Sequence, residues 1–268
     1  MKPILDYHNH TILCGHAIGE PFEYVEAALK QGLKEIGFSD HAPLVSHEDP
    51  TVTMSFEQLP RYHQMIEEVK SRYAESDIVI RVGIEADFIP GYEEKTRTIV
   101  EGYPYDFVIG SVHFIGDFPF DNPKHKDRLK TDDINQVFRD YNVLLRQSAK
   151  SGMFDIMAHI DLVKKFGDKP TEDLSDDFRE TAKAFKEAGV AVEINSSGLR
   201  KPVQEIYPSL AVLKILAETE IPITFGSDSH APGDVGADFD KALELAKQAG
   251  YREYVAFEKR QIVKRIAL

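Results

Sequence analysis

Ten histidines occur in the 268 residues, and three of them, His8, His10 and His16, fall inside the opening stretch LDYHNHTILCGH. Imidazole is a versatile metal ligand, and histidines two apart on a strand point their rings to the same side. Similar residues recur downstream. Asp40 and His41 close GFSDH, Glu85 sits in GIEADF, His113 in GSVHF and His159 in IMAHI, while GSDSH sets Asp228 and His230 two apart. Each falls in or just after a short β-rich run. A single strand-end histidine is more often a hydrogen-bonded core residue, a lone Glu an ion-paired side chain, and an Asp in GSDSH a turn cap. Those readings would have to hold independently at about seven places on one face. The nine residues His8, His10, His16, His41, Glu85, His113, His159, Asp228 and His230 are therefore read together as metal ligands.

This donor set limits the metal. Imidazoles and carboxylates without thiolate suit Zn, Mn or Fe better than a purely oxygen-liganded Ca or Mg site. Nine donors exceed the four of a tetrahedral zinc and are enough for two to three divalent transition metal ions. Asp6, Asp40 and Asp161 lie near the ligands and could orient imidazoles, with turn or surface acids as the alternative. His63, on the helical stretch QLPRYHQMIEEVK, and His125, in the charged loop NPKHKDR, are expected to face solvent. His47 stays open between solvent and a place near the ligands, and Cys14 reads as a small apolar residue.

The elements that must position these residues alternate. Strand-like runs cover 4–10, 35–41, 78–88, 105–114, 153–160, 189–198 and 221–230. Amphipathic helical patterns fit 21–31, 56–74, 132–151, 173–188, 208–219 and 239–249, with Gly32 and Gly250 as natural stops. Strand–helix alternation predicts a parallel sheet in an α/β fold. The expected form is a distorted seven-stranded relative of the TIM barrel, with a doubly wound open sheet as the rival. Both place a site at the C-terminal ends of the strands. An eighth strand candidate, YREYVAF at 251–257, is followed only by a short tail. The long loops 42–55 and 114–131 are expected on the site face.

Composition narrows the classes. The length suits a single domain over 1–268. One cysteine excludes a disulfide framework and a Cys-based zinc site. The opening residues lack the apolar core of a signal peptide and no run reaches membrane-span length, so a cytoplasmic protein is expected. A net charge of −13 argues against a general nucleic-acid surface. It would also repel an anionic substrate unless bound cations reversed the local field.

Across nearly the whole chain the motifs DYHNHT with CGHA, GFSDHAP, GIEADF, GSVHF, AHIDLVKKFG, EINSSGLRK and GSDSHAP occur in order. Together they resemble the PHP (polymerase and histidinol phosphatase) superfamily of metal-dependent phosphoesterases. GSVHF, HIDLVKKFG and NSSGLRK point more narrowly to its histidinol phosphatase branch. The resemblance implies a distorted (β/α)7 barrel holding three metal ions. By that resemblance His8, His10, Glu85 and Asp228 hold one ion, and Glu85 bridges to a second held by His113 and His159. His16, His41 and His230 hold the third. The implied reaction is hydrolysis of L-histidinol phosphate to L-histidinol and phosphate in histidine biosynthesis, with a metal-bridging hydroxide rather than a side chain as nucleophile. A PHP phosphoesterase for nucleotides or oligonucleotides and a non-catalytic metal-binding module are the alternatives. Arg200 is the candidate phosphate clamp, because guanidinium binds phosphate bidentately, and Ser197 beside it a possible donor. The histidinol amine needs an acid, and Glu48, Asp49 and Asp117 in the two long loops are all available.

Overall fold

The computed structural model describes residues 3–268. Along the chain run β1 (Leu5–Asp6), α1 (Pro21–Gln31), β2 (Glu35–Phe38), α2 (Leu59–Arg72), β3 (Val79–Asp87), α3 (Glu93–Glu101) and β4 (Phe107–Ser111). A small hairpin of β5 (Phe114–Ile115) and β6 (Phe118–Pro119) follows, then α4 (Arg128–Thr131), α5 (Ile134–Lys150), β7 (Ile156–Met157) and α6 (Ser175–Ala188). The chain ends with β8 (Ala191–Asn195), α7 (Leu210–Glu218), β9 (Ile223–Gly226), α8 (Phe239–Ala249), β10 (Glu253–Glu258) and β11 (Gln261–Ala267). Among the described residues, no helix is long and apolar enough to cross a membrane.

Seven strands pair in the order β1-β2-β3-β4-β7-β8-β9, every pair parallel. The two edges meet. Tyr7 donates its amide to Phe225 O at 3.1 Å, His10 to Ser229 O at 2.9 Å, and Ser229 to His8 O at 3.1 Å. The sheet is thus a closed, irregular seven-stranded barrel, and the open doubly wound alternative is excluded. Most joining bonds lie beyond the short β1, so the residues that shut the barrel are the donor-bearing ones.

Helices occur where the apolar stripes indicated. α1 starts with a reciprocal Glu20–Glu23 capping box and stops at Gly32, whose φ of 80° is left-handed. One helix, α3, escapes the sequence pattern. Its sequence EEKTRTIVE has only two apolar residues, Ile99 and Val100, adjacent and not three or four apart, so no helical repeat marks it. The predicted loop 114–131 carries β5, β6 and α4.

The stretch 251–257 is not an eighth barrel strand. β10 pairs antiparallel with β11, the segment read as a tail. This hairpin closes the N-terminal end of the barrel. Phe257 N donates to Tyr7 Oη at 2.9 Å, and Arg260 Nε meets Asp155 Oδ2 at 2.9 Å, just before β7. The Phe107 ring stacks on Tyr7 with centroids 4.6 Å apart. Gly37 and Gly83 make room for it, since a Cβ there would lie 2.6 and 2.4 Å from Phe107 carbons. One barrel end is thereby filled, and the polar donors collect at the other.

Candidate metal centre

β3 carries Glu85 to the centre of the open mouth. One carboxylate oxygen, Oε2, lies 3.2 Å from His8 Nε2, 3.7 Å from His10 Nε2 and 2.9 Å from His41 Nδ1. The other, Oε1, lies 3.2 Å from His159 Nε2 and 3.9 Å from His113 Nε2. Asp228 Oδ1 approaches His10 Nε2 at 3.3 Å and His8 Nε2 at 4.0 Å. On the remaining side the His230 ring lies 3.9 Å from that of His10 and 4.5 Å from that of His16, with His41 5.5 Å from His16. All nine predicted residues meet here. Three groupings keep their donor atoms within 4.8 Å of one another: His8, His10 and Glu85; Glu85, His113 and His159; His16, His41 and His230.

The backbone turns sharply to achieve this. His159 has φ 25° and Asp228 φ 51°, both left-handed and rarely adopted by residues other than glycine. β7 and β9 end just before them, at Met157 and Gly226. From the sequence both residues are expected within the strand-like runs 153–160 and 221–230. The structure puts them in the turns after the strands, and those turns aim their side chains.

Whether the site fits cations can be read from its unpaired atoms. His8 Nε2, His10 Nε2, Glu85 Oε2 and His230 Nε2 are buried without a hydrogen-bond partner. Buried polar atoms are ordinarily paired, and leaving several orphaned in one place is costly. A cation is the partner that would satisfy all four. Both carboxylates are held ionised. Burial opposes ionisation of Glu85, yet His41, His8 and His159 outweigh it and hold it well below the carboxylate range. Burial likewise opposes Asp228, and His8 and His10 hold it well down. Burial with the neighbouring His41 lowers His16, and burial with His10 lowers His230 further. Against burial, Glu193 raises His8, Asp228 and Asp40 raise His10, and Asp87 raises His113 to about 10; metal binding, which takes neutral imidazoles, would displace those protons. A fourth grouping, His10, Cys14 and His230, fits less well. Burial keeps the Cys14 thiol protonated, and its Sγ donates to Thr11 O.

Outer partners depart from expectation. Glu193, which the sequence reading passed over, takes His8 Nδ1 at 2.6 Å and accepts from His159 N at 3.2 Å. Gly226 is required beside it, because a Cβ there would fall 1.9 Å from Glu193 Oε1. Asp87, also passed over, holds His113 Nδ1 at 3.0 Å. Its signal was present in GIEADF, two residues after Glu85 and therefore on the same strand face. Of the three acids expected to orient imidazoles, only Asp40 comes near one, 3.4 Å from His10 Nδ1. Asp6 instead accepts the Ser227 and Gly236 amides, and Asp161 pairs with Lys164 at 2.8 Å. His63 is not solvated. It stacks on Tyr103 at 4.1 Å, and burial pulls its pKa down to about 4.

A cavity of about 400 Å3 opens over the donors, and Lys165, Ser197, Arg200 and Lys201 line it. Arg200 is held by Ser227 O at 2.6 Å and lies 3.6 Å from Asp234, leaving its Nη1 buried and unpartnered. Ser197 Oγ donates to Asp228 Oδ2 at 3.0 Å. Lys165, missed in HIDLVKKFG because a lone Lys there reads as solvated, pairs with Asp121 at 3.1 Å. The cationic groups beside the carboxylates form a mouth suited to a phosphate. Glu48 and Asp117 do not line it, and Asp117 is almost fully exposed beside Arg128.

Comparison with known proteins agrees with this architecture. A relative from Deinococcus radiodurans, described as a "probable histidinol-phosphatase", is 38% identical, covering 98% of this chain and 99% of its own. The histidinol-phosphatase of Bacillus subtilis is 33% identical over 89% of this chain and 98% of its own. The crystal structure of histidinol phosphate phosphatase from Lactococcus lactis, complexed with Zn, L-histidinol and phosphate, superposes with a TM-score of 0.83 at 26% identity, covering 97% of this chain and 98% of that one. The PHP domain family model matches residues 6–197. That match takes in seven of the nine gathered donors, all but Asp228 and His230 after β9, and the chain therefore belongs to the PHP domain family.

Proposed function

We propose that this chain is a metal-dependent phosphomonoesterase that hydrolyses L-histidinol phosphate to L-histidinol and phosphate, its residues 1–268 acting as one cytoplasmic domain. The observation that carries the reading is the gathering of nine donors around Glu85 beneath a cavity lined by Lys165 and Arg200. His8, His10, Glu85 and Asp228 would hold one ion, Glu85, His113 and His159 a second, and His16, His41 and His230 a third. Such ions, when bound, supply charge for the phosphoryl oxygens and acidify water at neutral pH.

The remaining work falls to the chain's own groups. Arg200, fixed by Ser227 O, directs its guanidinium edge at a phosphate, where a bidentate contact both binds and orients. Lys165 adds a second positive charge from the neighbouring loop, after β7. Ser197 hydrogen-bonds Asp228 and keeps that carboxylate turned to the donors. Glu193 fixes the His8 ring so that Nε2 faces inward. No side-chain nucleophile is assigned.

The test is phosphate release from L-histidinol phosphate against nucleoside monophosphates and p-nitrophenyl phosphate. A clear preference in kcat/KM for L-histidinol phosphate is expected. Preference for a nucleotide would overturn the substrate while keeping the site. The net charge of −13 supports the small-molecule reading over an oligonucleotide one.

A further inference from the structure

The segment 227–236 after β9 carries more of the site than its two donors. Asp228 and His230 lie in it, and so do both anchors of Arg200, the Ser227 carbonyl at 2.6 Å and the Asp234 carboxylate at 3.6 Å. Backbone bonds secure its middle. Ser229 N donates to His8 O at 3.1 Å, His10 N to Ser229 O at 2.9 Å, and Ile18 N to His230 O at 2.8 Å. Its two ends are held differently, by one side chain.

That side chain is Asp6, fully buried at the end of β1 and given no part in the reaction above. Its Oδ1 accepts from Ser227 N at 2.9 Å and from His8 N at 3.3 Å. Its Oδ2 accepts from Ser227 Oγ at 2.5 Å and from Gly236 N at 2.9 Å. Both ends of the segment thus close on one carboxyl group. Barrel closure does not require it, since backbone bonds already join Tyr7 to Phe225 and His10 to Ser229. What Asp6 adds is a fixed spacing between Ser227 and Gly236, and so a fixed seat for the guanidinium held between them. Just beyond, Ser196 Oγ donates to Ala237 O at 2.7 Å and ties the turn carrying Arg200 to the same end.

Resting on the phosphatase reading above, we infer that Asp6 is a positioning residue for the phosphate clamp. It holds Ser227 and Gly236 so that the Ser227 carbonyl and Asp234 keep the Arg200 guanidinium at the cavity wall. The donors Asp228 and His230 do not depend on it, because the backbone bonds of Ser229 and His230 hold them in place. From the sequence Asp6 is a candidate to orient imidazoles. Its hydrogen bonds lead to the guanidinium instead.

The test uses p-nitrophenyl phosphate, which reads the phosphate seat whatever alcohol the enzyme prefers. Asp6→Asn keeps the size of the side chain. Either orientation of its amide sets an NH2 against a backbone N–H, that of Gly236 or those of Ser227 and His8. In the metal-loaded enzyme, KM and the inhibition constant of inorganic phosphate should rise about 3- to 10-fold, the worth of one hydrogen bond. Metal content should not change. In an Arg200→Ala background the same substitution should change both constants less than about 2-fold, because the two residues act through one contact. Tyr254→Phe strips Ile4 N of its partner at the other end of β1 and is the control for lost stability, with KM unmoved. An unchanged KM in Asp6→Asn would leave Asp6 a structural role only. Equal rises with and without Arg200, or a matching rise in Tyr254→Phe, would mean general loosening of β1. Loss of metal would place the effect on the donors. Each of these overturns the inference while leaving the phosphatase reading intact. A wild-type enzyme inert toward all phosphate esters would overturn both. Should Asp6→Asn fail to fold, Ser227→Ala removes only the hydroxyl contact and should raise KM about 2- to 3-fold, again only where Arg200 is present.

Discussion

A histidine that offers one nitrogen to a cation binds well only when its other nitrogen is held, and at His8 that task falls to a buried carboxylate on β8. Glu193 Oε1 lies 2.6 Å from His8 Nδ1, and Asn195 Nδ2 and His159 N occupy its Oε2. The replacement Glu193→Gln keeps the shape under Gly226 but removes the charge that raises the basicity of His8. It should weaken metal retention about 10- to 100-fold, read by competition with a chromophoric chelator. Unchanged affinity would reduce Glu193 to packing. The nine donors were legible in the sequence because several histidines and acids recurred at the same place in successive strand–helix units. Glu193 was not, since a lone Glu in VEIN carries the same signature as any isolated strand acid. Lys165 was hidden for a similar reason. Its neighbour Lys164 turns away to Asp161 and Glu205, and only the fold separates the two.

At the level of elements, the least expected piece is the terminal hairpin of β10 and β11. It does not extend the barrel but shuts the end opposite the donors. Arg260 is its fastening. The guanidinium reaches Asp155 Oδ2 at 2.9 Å and Met153 O at 2.6 Å, beside β7. Asp155 is largely buried, and burial lifts its pKa even with Arg260 present. Arg260→Ala should therefore cost about 1–3 kcal/mol, the penalty for leaving a buried polar group unpaired. Urea denaturation at constant m measures that loss. Metal content and turnover of the folded enzyme should be unaffected, since the hairpin is at the far end of the barrel. A fall in metal content would mean that the two ends are coupled through β7 and His159. The alternating pattern of strands and helices anticipated the seven barrel strands, but it could not distinguish an eighth strand from a hairpin. That choice depends on which edge the last strand meets.

For the molecule as a whole, a net charge of −13 and a mouth crowded with unpaired donors describe a protein completed by cations. Removal of metal by a chelator should abolish phosphate release and lower Tm, because a ligand bound only by the native state stabilises it by mass action. Added Zn2+ should restore both. An unchanged Tm would mean that the donor cluster is rigid without ions. By itself the sequence determined the chemistry, because residue type decides which atoms can bind a metal and strand–helix alternation decides that such atoms gather at one end of a parallel barrel. Tertiary structure decided which donors lie within reach of one another and which acids stand behind them. Those are distances between residues far apart in the chain, such as His8 and Glu193, and only closing the barrel fixes them.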